Sequence, residues 1–171
     1  MKQTCSSCST PKANLTCRSC EAALCKACAQ FVDVERFSFY APPANEALAG
    51  AYCLTCFETE IAPEAAKYDG LMARAKDITV FFTEQGKETR LIKRSDTKFS
   101  VERCADRDET ILRLAFFAAK AGFDTLVDID LIYEKRRDGS FKIAHWKGTA
   151  VGAKPDPRHL PKPGPRKSPS R

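Results

Sequence analysis

A chain of 171 residues, 43% hydrophobic and 29% charged, is too apolar to be wholly disordered and long enough for one ordinary domain or two small ones. Its net charge of +6 is unevenly placed: residues 1–60 sum to −1 (five basic, six acidic), residues 61–153 to +2 (17 against 15) and residues 154–171 to +5 (six against one). That distribution excludes reading the overall pI of 8.9 as a basic folded surface.

The first 17 residues are polar. They contain neither the apolar stretch of a secretory signal nor the roughly 20 apolar residues that cross a bilayer, so a cytoplasmic protein with no transmembrane segment is expected. A reducing compartment leaves thiols free to bind metal and disfavours disulfides.

Eight of the nine cysteines fall in four Cys-x2-Cys pairs: Cys5/Cys8, Cys17/Cys20, Cys25/Cys28 and Cys53/Cys56. A two-residue gap lets a tight turn aim two thiolates at one ion about 2.3 Å away, and two pairs complete the tetrahedron that zinc accepts. Four pairs therefore predict two Zn2+ sites. With four thiolates each, such sites have no open position for water or substrate, so the ions are expected to be structural and the protein no enzyme. Zinc can supply on the order of 10–16 kcal/mol to small domains, and some sixty residues build little core without it.

The pairs can share ions consecutively, with Cys5, Cys8, Cys17 and Cys20 on one ion, or interleaved. Interleaving puts Cys5, Cys8, Cys25 and Cys28 on one and Cys17, Cys20, Cys53 and Cys56 on the other. The four residues between Cys20 and Cys25 suit a short hairpin passing the chain between sites, which favours interleaving. A disulfide framework would require secretion, and an iron–sulfur cluster would use the same thiolates.

The run Cys17-Arg-Ser-Cys20-Glu-Ala-Ala-Leu-Cys25-Lys-Ala-Cys28, closed by Tyr52-Cys53-Leu-Thr-Cys56, resembles the cross-brace of the FYVE/PHD-like zinc-finger superfamily and, more loosely, a B-box. The resemblance covers about a third of the chain and implies a two-zinc finger over residues 1–60. In FYVE domains a basic, histidine-rich stretch before the third cysteine binds phosphatidylinositol 3-phosphate. Here that stretch is Lys12-Ala-Asn-Leu-Thr16, so phosphoinositide binding is not expected. A RING-type ligase would have a histidine ligand, and this segment has none.

Between Cys28 and Cys53 the alternation from Val34 to Tyr40 predicts a short strand, and Asn45 to Ala51 a small helix. The aromatics Phe31, Phe37, Phe39 and Tyr40 either grip a peptide or form the finger's core, the second being the simpler reading. Residues 61–76 read as a helical linker, with a short helix from Glu64 to about Gly70.

Residues 77–153 predict an α+β domain, a compact antiparallel sheet packed by one main helix. Its strands are Ile78–Thr83, Arg90–Lys93 and Lys98–Arg103. Asp106 and Glu109 form a helix start, and an apolar run from Ile111 to Ala119 ends at Gly122. Asp138-Gly139 predicts a two-residue hairpin turn between Thr125–Arg137 and Ser140–Thr149. That turn pairs Leu131 with Trp146, Tyr133 with Ala144 and Ile129 with Gly148 on a core face, and Asp130 with Lys147 on the other. Asp128, Asp130 and His145 share this second face, which reads as solvated rather than catalytic. Cys104, before the helix, is either an inert buried thiol or one activated by the helix dipole.

The stretch from the alanine-rich helix through Gly122-Phe-Asp-Thr-Leu-Val-Asp-Ile-Asp130 is weakly similar to the small bacterial YbjQ-like family. That likeness implies a compact α+β domain with a capacity to form a homo-oligomer. Residues 154–171, with six prolines, read as a disordered basic tail, either solubilising or touching nucleic acid through phosphates. The sequence as a whole predicts a zinc-binding, non-enzymatic adaptor acting on a protein partner, with nucleic-acid association through the tail as the alternative.

Overall fold

The computed structural model describes residues 3–41, 43–138 and 141–154. The Pro-rich tail and Gly139, the second residue of the expected turn, lie outside the described residues. The chain divides into two compact units at Gly70/Leu71.

The first unit has little regular structure. Strands β1 (Leu15–Thr16) and β2 (Ala23–Leu24) form a hairpin with Leu15 opposite Leu24. Strands β3 (Gln30–Val32) and β4 (Gly50–Tyr52) pair antiparallel, with α1 (Ala44–Leu48) between them. A one-turn helix α2 (Leu54–Cys56) runs through a π-helical turn (Phe57–Ile61) into α3 (Ala62–Asp77), which is much longer than the expected Glu64–Gly70.

The strand expected over Val34–Tyr40 is not formed. Asp33 caps a 3-10 turn over Val34–Phe37, its carboxylate accepting from the Glu35 N–H at 3.0 Å, and this local bond overrides the alternating pattern. The turn brings Phe37 and Tyr40 against Tyr68 of α3, with ring centroids 5.3 and 5.2 Å away at right angles. The Tyr40 hydroxyl donates to Glu64 at 2.8 Å, and the Arg36 guanidinium pairs with Asp69 at 2.7 Å. Phe37, Phe39 and Tyr40 are thus the miniature core, while Phe31 is 62% exposed.

In the second unit, a four-stranded sheet has the order β5-β7-β8-β6: β5 (Thr79–Phe82), β7 (Thr125–Asp138), β8 (Phe141–Lys154) and β6 (Lys93–Cys104). It is antiparallel except that β5 runs parallel to β7. The segment Arg90–Ile92 is turn rather than strand, and β6 begins at Lys93.

Helix α4 (Arg107–Lys120) packs on the sheet as its sequence requires. Its start is the expected cap: the Glu109 N–H donates to Asp106 at 2.7 Å, and the Glu109 carboxylate accepts from the Ala105 N–H at 2.7 Å. At its end Gly122, at φ +82°, lets the Gly122 and Phe123 N–H groups reach the carbonyls of Ala119 and Ala118. Leu114, Phe116 and Ala118 are fully buried. The helix approaches closely because β8 offers it Gly148, while Gly152 leaves room for the ring of Phe123 just after the helix. A Cβ on Gly148 would lie 2.8 Å from both Leu131 Cδ2 and Thr110 Cγ2.

The hairpin register departs from expectation in two ways. Its last pair is Asp138 with Phe141, so the expected pairing is displaced by two residues: Tyr133 faces Trp146 and Leu131 faces Gly148. A bulge at Asp128 then shifts the ladder by one, since Leu126 faces Gly152 but Asp130 faces Thr149. Asp128 adopts φ +52°, and Arg94 holds it with two bonds of 2.6 and 2.9 Å. Ile129 consequently has no partner at Gly148, and the face expected to be core throughout leaves Tyr133 47% exposed.

Candidate metal centres

The chain's tight turns set the ligands in place. In the first two Cys-x2-Cys pairs, the residue after the second cysteine donates back to the carbonyl of the first: Ser9 to Cys5 at 2.8 Å and Glu21 to Cys17 at 3.0 Å. Closing these turns puts Ser9 and Glu21 at φ +58° and +59°. In the third pair Ala29 donates to the Cys25 carbonyl at 3.1 Å without a positive φ. The fourth pair uses a helix start, where the Cys53 sulfur caps α2 by accepting from the Cys56 N–H at 3.4 Å.

Hairpin β1–β2 carries Cys17 and Cys20 at its tip and delivers Cys25 just after β2. The antiparallel pair β3–β4 then brings Cys53 back beside Cys17, whose sulfur accepts from the Cys53 N–H at 3.3 Å. Two groups result, Cys5/Cys8/Cys25/Cys28 and Cys17/Cys20/Cys53/Cys56, each with its sulfurs within 4.8 Å of one another. This is the interleaved arrangement; the consecutive one does not occur.

The spacing fits zinc. A tetrahedral ion about 2.3 Å from each sulfur separates neighbouring sulfurs by about 3.8 Å. Cys8 and Cys25 are 3.7 Å apart, Cys20 and Cys53 3.8 Å. Neither contact is a disulfide, and all nine cysteines are free.

The electrostatics prepare part of each set. The N–H groups of Cys25 and Cys8 aimed at Cys5 lower its pKa to about 6. Burial works against ionising Cys17, but the N–H groups of Cys20, Cys53 and Ser19 outweigh it and also bring it to about 6. The Thr10 hydroxyl, 3.1 Å away, lowers Cys8. Hydrogen bonds with Cys8 and Cys25 push Cys28 up to about 12, and those with Cys53 and Cys20 do the same for Cys56. The Ala22 N–H favours the Cys20 thiolate, yet the sulfurs of Cys17 and Cys53, together with burial, leave it raised. A cation would replace the protons held by these late-ionising thiols.

Sequence reasoning did not find Ser19, whose hydroxyl donates to Glu60 at 2.5 Å and ties the second turn to the helix after Cys56. No spacing rule signals a contact 41 residues long.

The other candidates do not assemble. Cys104 is fully buried, and burial raises its pKa, the reverse of an activated thiol. Asp128 is taken by Arg94, which lowers its pKa, and Lys147 pairs with Glu134 instead of the expected Asp130. Asp130 faces Thr149 while His145 faces Glu134. Among the described residues the two cysteine groups are the only metal-competent clusters. A cavity of about 330 Å³ lies against α4, lined by Ile78, Val80, Ile111 and Leu112, and not over the Asp128 face. Among the described residues no helix is long and apolar enough to cross a membrane. Comparisons with protein-family models, curated proteins and solved structures find no match to this chain.

Proposed function

We propose that the chain is a non-enzymatic, cytoplasmic adaptor whose N-terminal unit is a cross-brace finger built on two structural zinc ions. The observation that carries this reading is the interleaved gathering of eight cysteines at tetrahedral sulfur spacing. Four thiolates per ion fill its coordination shell, so the metal organises the chain without activating a substrate. The interleaving also supports the likeness to FYVE/PHD-like and B-box fingers; the YbjQ-like resemblance of the second unit rests on sequence alone. A protein partner is favoured because the finger exposes large apolar groups its core does not use, Phe31 at 62% and Leu54 at 54%.

Elemental analysis of the purified chain tests the metal reading, with two zinc ions per chain expected; a folded, metal-free finger refutes it. The adaptor reading is tested by photo-crosslinking from position 31 in cells. A discrete protein adduct is expected there, and labelling no stronger than from the exposed Glu58 refutes it.

A second reading, nucleic-acid association through the tail, is favoured by the +5 charge of residues 154–171. Filter binding across salt separates the two, because this reading requires a steep salt slope that vanishes when those residues are deleted.

A further inference from the structure

The outer part of the β7–β8 hairpin presents a face that the fold leaves unused. Pairing of β5 with β7 ends at Phe82–Ile129, and pairing of β6 with β8 ends at Cys104–Trp146. Beyond those pairs, among the described residues, the two long strands pair only with each other, as a two-stranded ribbon. Helix α4 covers its face at Gly148, through Thr110 and Leu114, and the next pairs outward on that face are Tyr133/Trp146, Lys135/Ala144 and Arg137/Lys142.

Along these rows Tyr133 and Trp146 supply two aromatic rings and Lys135 and Arg137 two basic groups. The opposite face is different: Glu134 stands there and neutralises Lys147. Tyr133 is 47% exposed, with its ring tilted 51° to Trp146 at a centroid distance of 5.2 Å. The Lys135 ammonium lies 5.7 Å from the Tyr133 centroid, and among the described residues neither Lys135 nor Arg137 enters an ion pair. The bulge at Asp128 produces this segregation, because it moves the odd-numbered residues beyond it onto the α4 face.

We propose that this face binds single-stranded nucleic acid, with Tyr133 stacking on a base and Lys135 and Arg137 meeting the phosphates beside it. The charge calls for a polyanion, and the exposed ring beside it calls for flat apolar partners carried by that polyanion. Acidic polypeptides satisfy only the first requirement. Duplexes meet the first but hide their base faces, whereas a single strand offers both. None of its residues is a zinc ligand or belongs to the tail.

Trp146 is the chain's single tryptophan and adjoins Tyr133, so its fluorescence reports occupancy directly. The experiment titrates the full-length zinc-loaded protein with oligo(U) and oligo(dT) of about 15 nucleotides, following anisotropy and tryptophan emission from roughly 50 to 300 mM salt. Binding with tryptophan quenching is expected for at least one strand. Affinity should fall about tenfold in Tyr133→Ala and stay within about twofold in Tyr133→Phe. Lys135→Glu with Arg137→Glu, both at exposed positions, should weaken binding about 100-fold at low salt and make the log–log salt slope shallower by about 1.4. Deleting residues 155–171 should leave the quenching in place.

Absence of binding overturns the proposal. So does binding lost with the tail and indifferent to Lys135 and Arg137, or equal competition by duplex DNA or polyglutamate without quenching. Ile132→Thr, on the opposite face, must bind as the parent does; equal loss there also overturns it.

Discussion

The two units hold their chains together by different means. The finger has strands of two or three residues and a small set of buried side chains that includes Leu24, Phe37, Phe39, Tyr40 and Tyr52. The second unit has strands of 12 to 14 residues in β6, β7 and β8, and a helix whose buried face runs from Thr110 to Ala119. Where little apolar area can be buried, coordination supplies the missing free energy, and stability then depends on solution chemistry more than on shape. Where packing suffices, a single methyl group matters and a chelator does not.

The largest contrast should come from removing metal. A strong chelator takes away on the order of 10 kcal/mol or more from the finger. Hydrogen exchange should then show protection lost from Cys5 to Cys56 but retained in α4, β7 and β8. Loss of protection across both units together would mean that the second unit depends on the ions. The reciprocal change is Phe116→Ala, which removes a fully buried ring and should cost the second unit about 3–5 kcal/mol. Denaturant unfolding should register that loss while metal content stays at two ions per chain.

Legibility in the sequence follows the same divide. Ligand identity was readable because coordination depends on residue type and spacing along the chain, and four Cys-x2-Cys pairs have few alternatives. The short Cys20–Cys25 gap even favoured the interleaving. Capping at Asp106 and the stop at Gly122 were readable because they are local. The hairpin register beyond the Asp128 bulge is not legible because a bulge is a tertiary decision: nothing near Asp128 announces φ +52°, and Arg94, which holds it, is 34 residues away, whereas the two-residue displacement is set separately where Asp138 pairs with Phe141. The Val34–Tyr40 alternation misled for a different reason, since one carboxylate at Asp33 outweighed a period-two pattern in a segment too short to enforce it.

Acidification should distinguish the two metal sites. The first contains two thiols with lowered pKa, Cys5 and Cys8, and one raised, Cys28; the second has only Cys17 lowered, with Cys20 and Cys56 both raised. Zinc binds thiolates, so every thiol still protonated when the site is empty must release its proton, and affinity rises with pH. Between about 6, where Cys5 and Cys17 ionise, and about 12, where Cys28 and Cys56 do, that one proton alone changes affinity about tenfold per pH unit at each site. The further proton on Cys20 steepens the second site. As pH falls, the second site should therefore empty before the first, giving two steps of zinc release to a chromogenic chelator. Cys53→Ser should abolish the step at higher pH; a single step in the parent would refute the ordering.

The smallest expected effect concerns the turns that hold the ligands. Ser9 and Glu21 each follow the second cysteine of a pair and sit in the left-handed region, which costs a residue with a Cβ about 1 kcal/mol. Ala29 occupies the equivalent place in the third pair with negative φ, so there a Cβ costs nothing. Glycine should consequently act with opposite sign at these positions. Ser9→Gly and Glu21→Gly relieve strain and should raise zinc affinity by up to about fivefold, while Ala29→Gly only adds freedom to the unfolded chain and should lower it by about twofold. Competition against a chelator of known affinity reads both directions on one scale. A uniform loss in all three variants would show that the positive φ angles are not a source of strain, and that turn closure in the first two pairs is as relaxed as in the third.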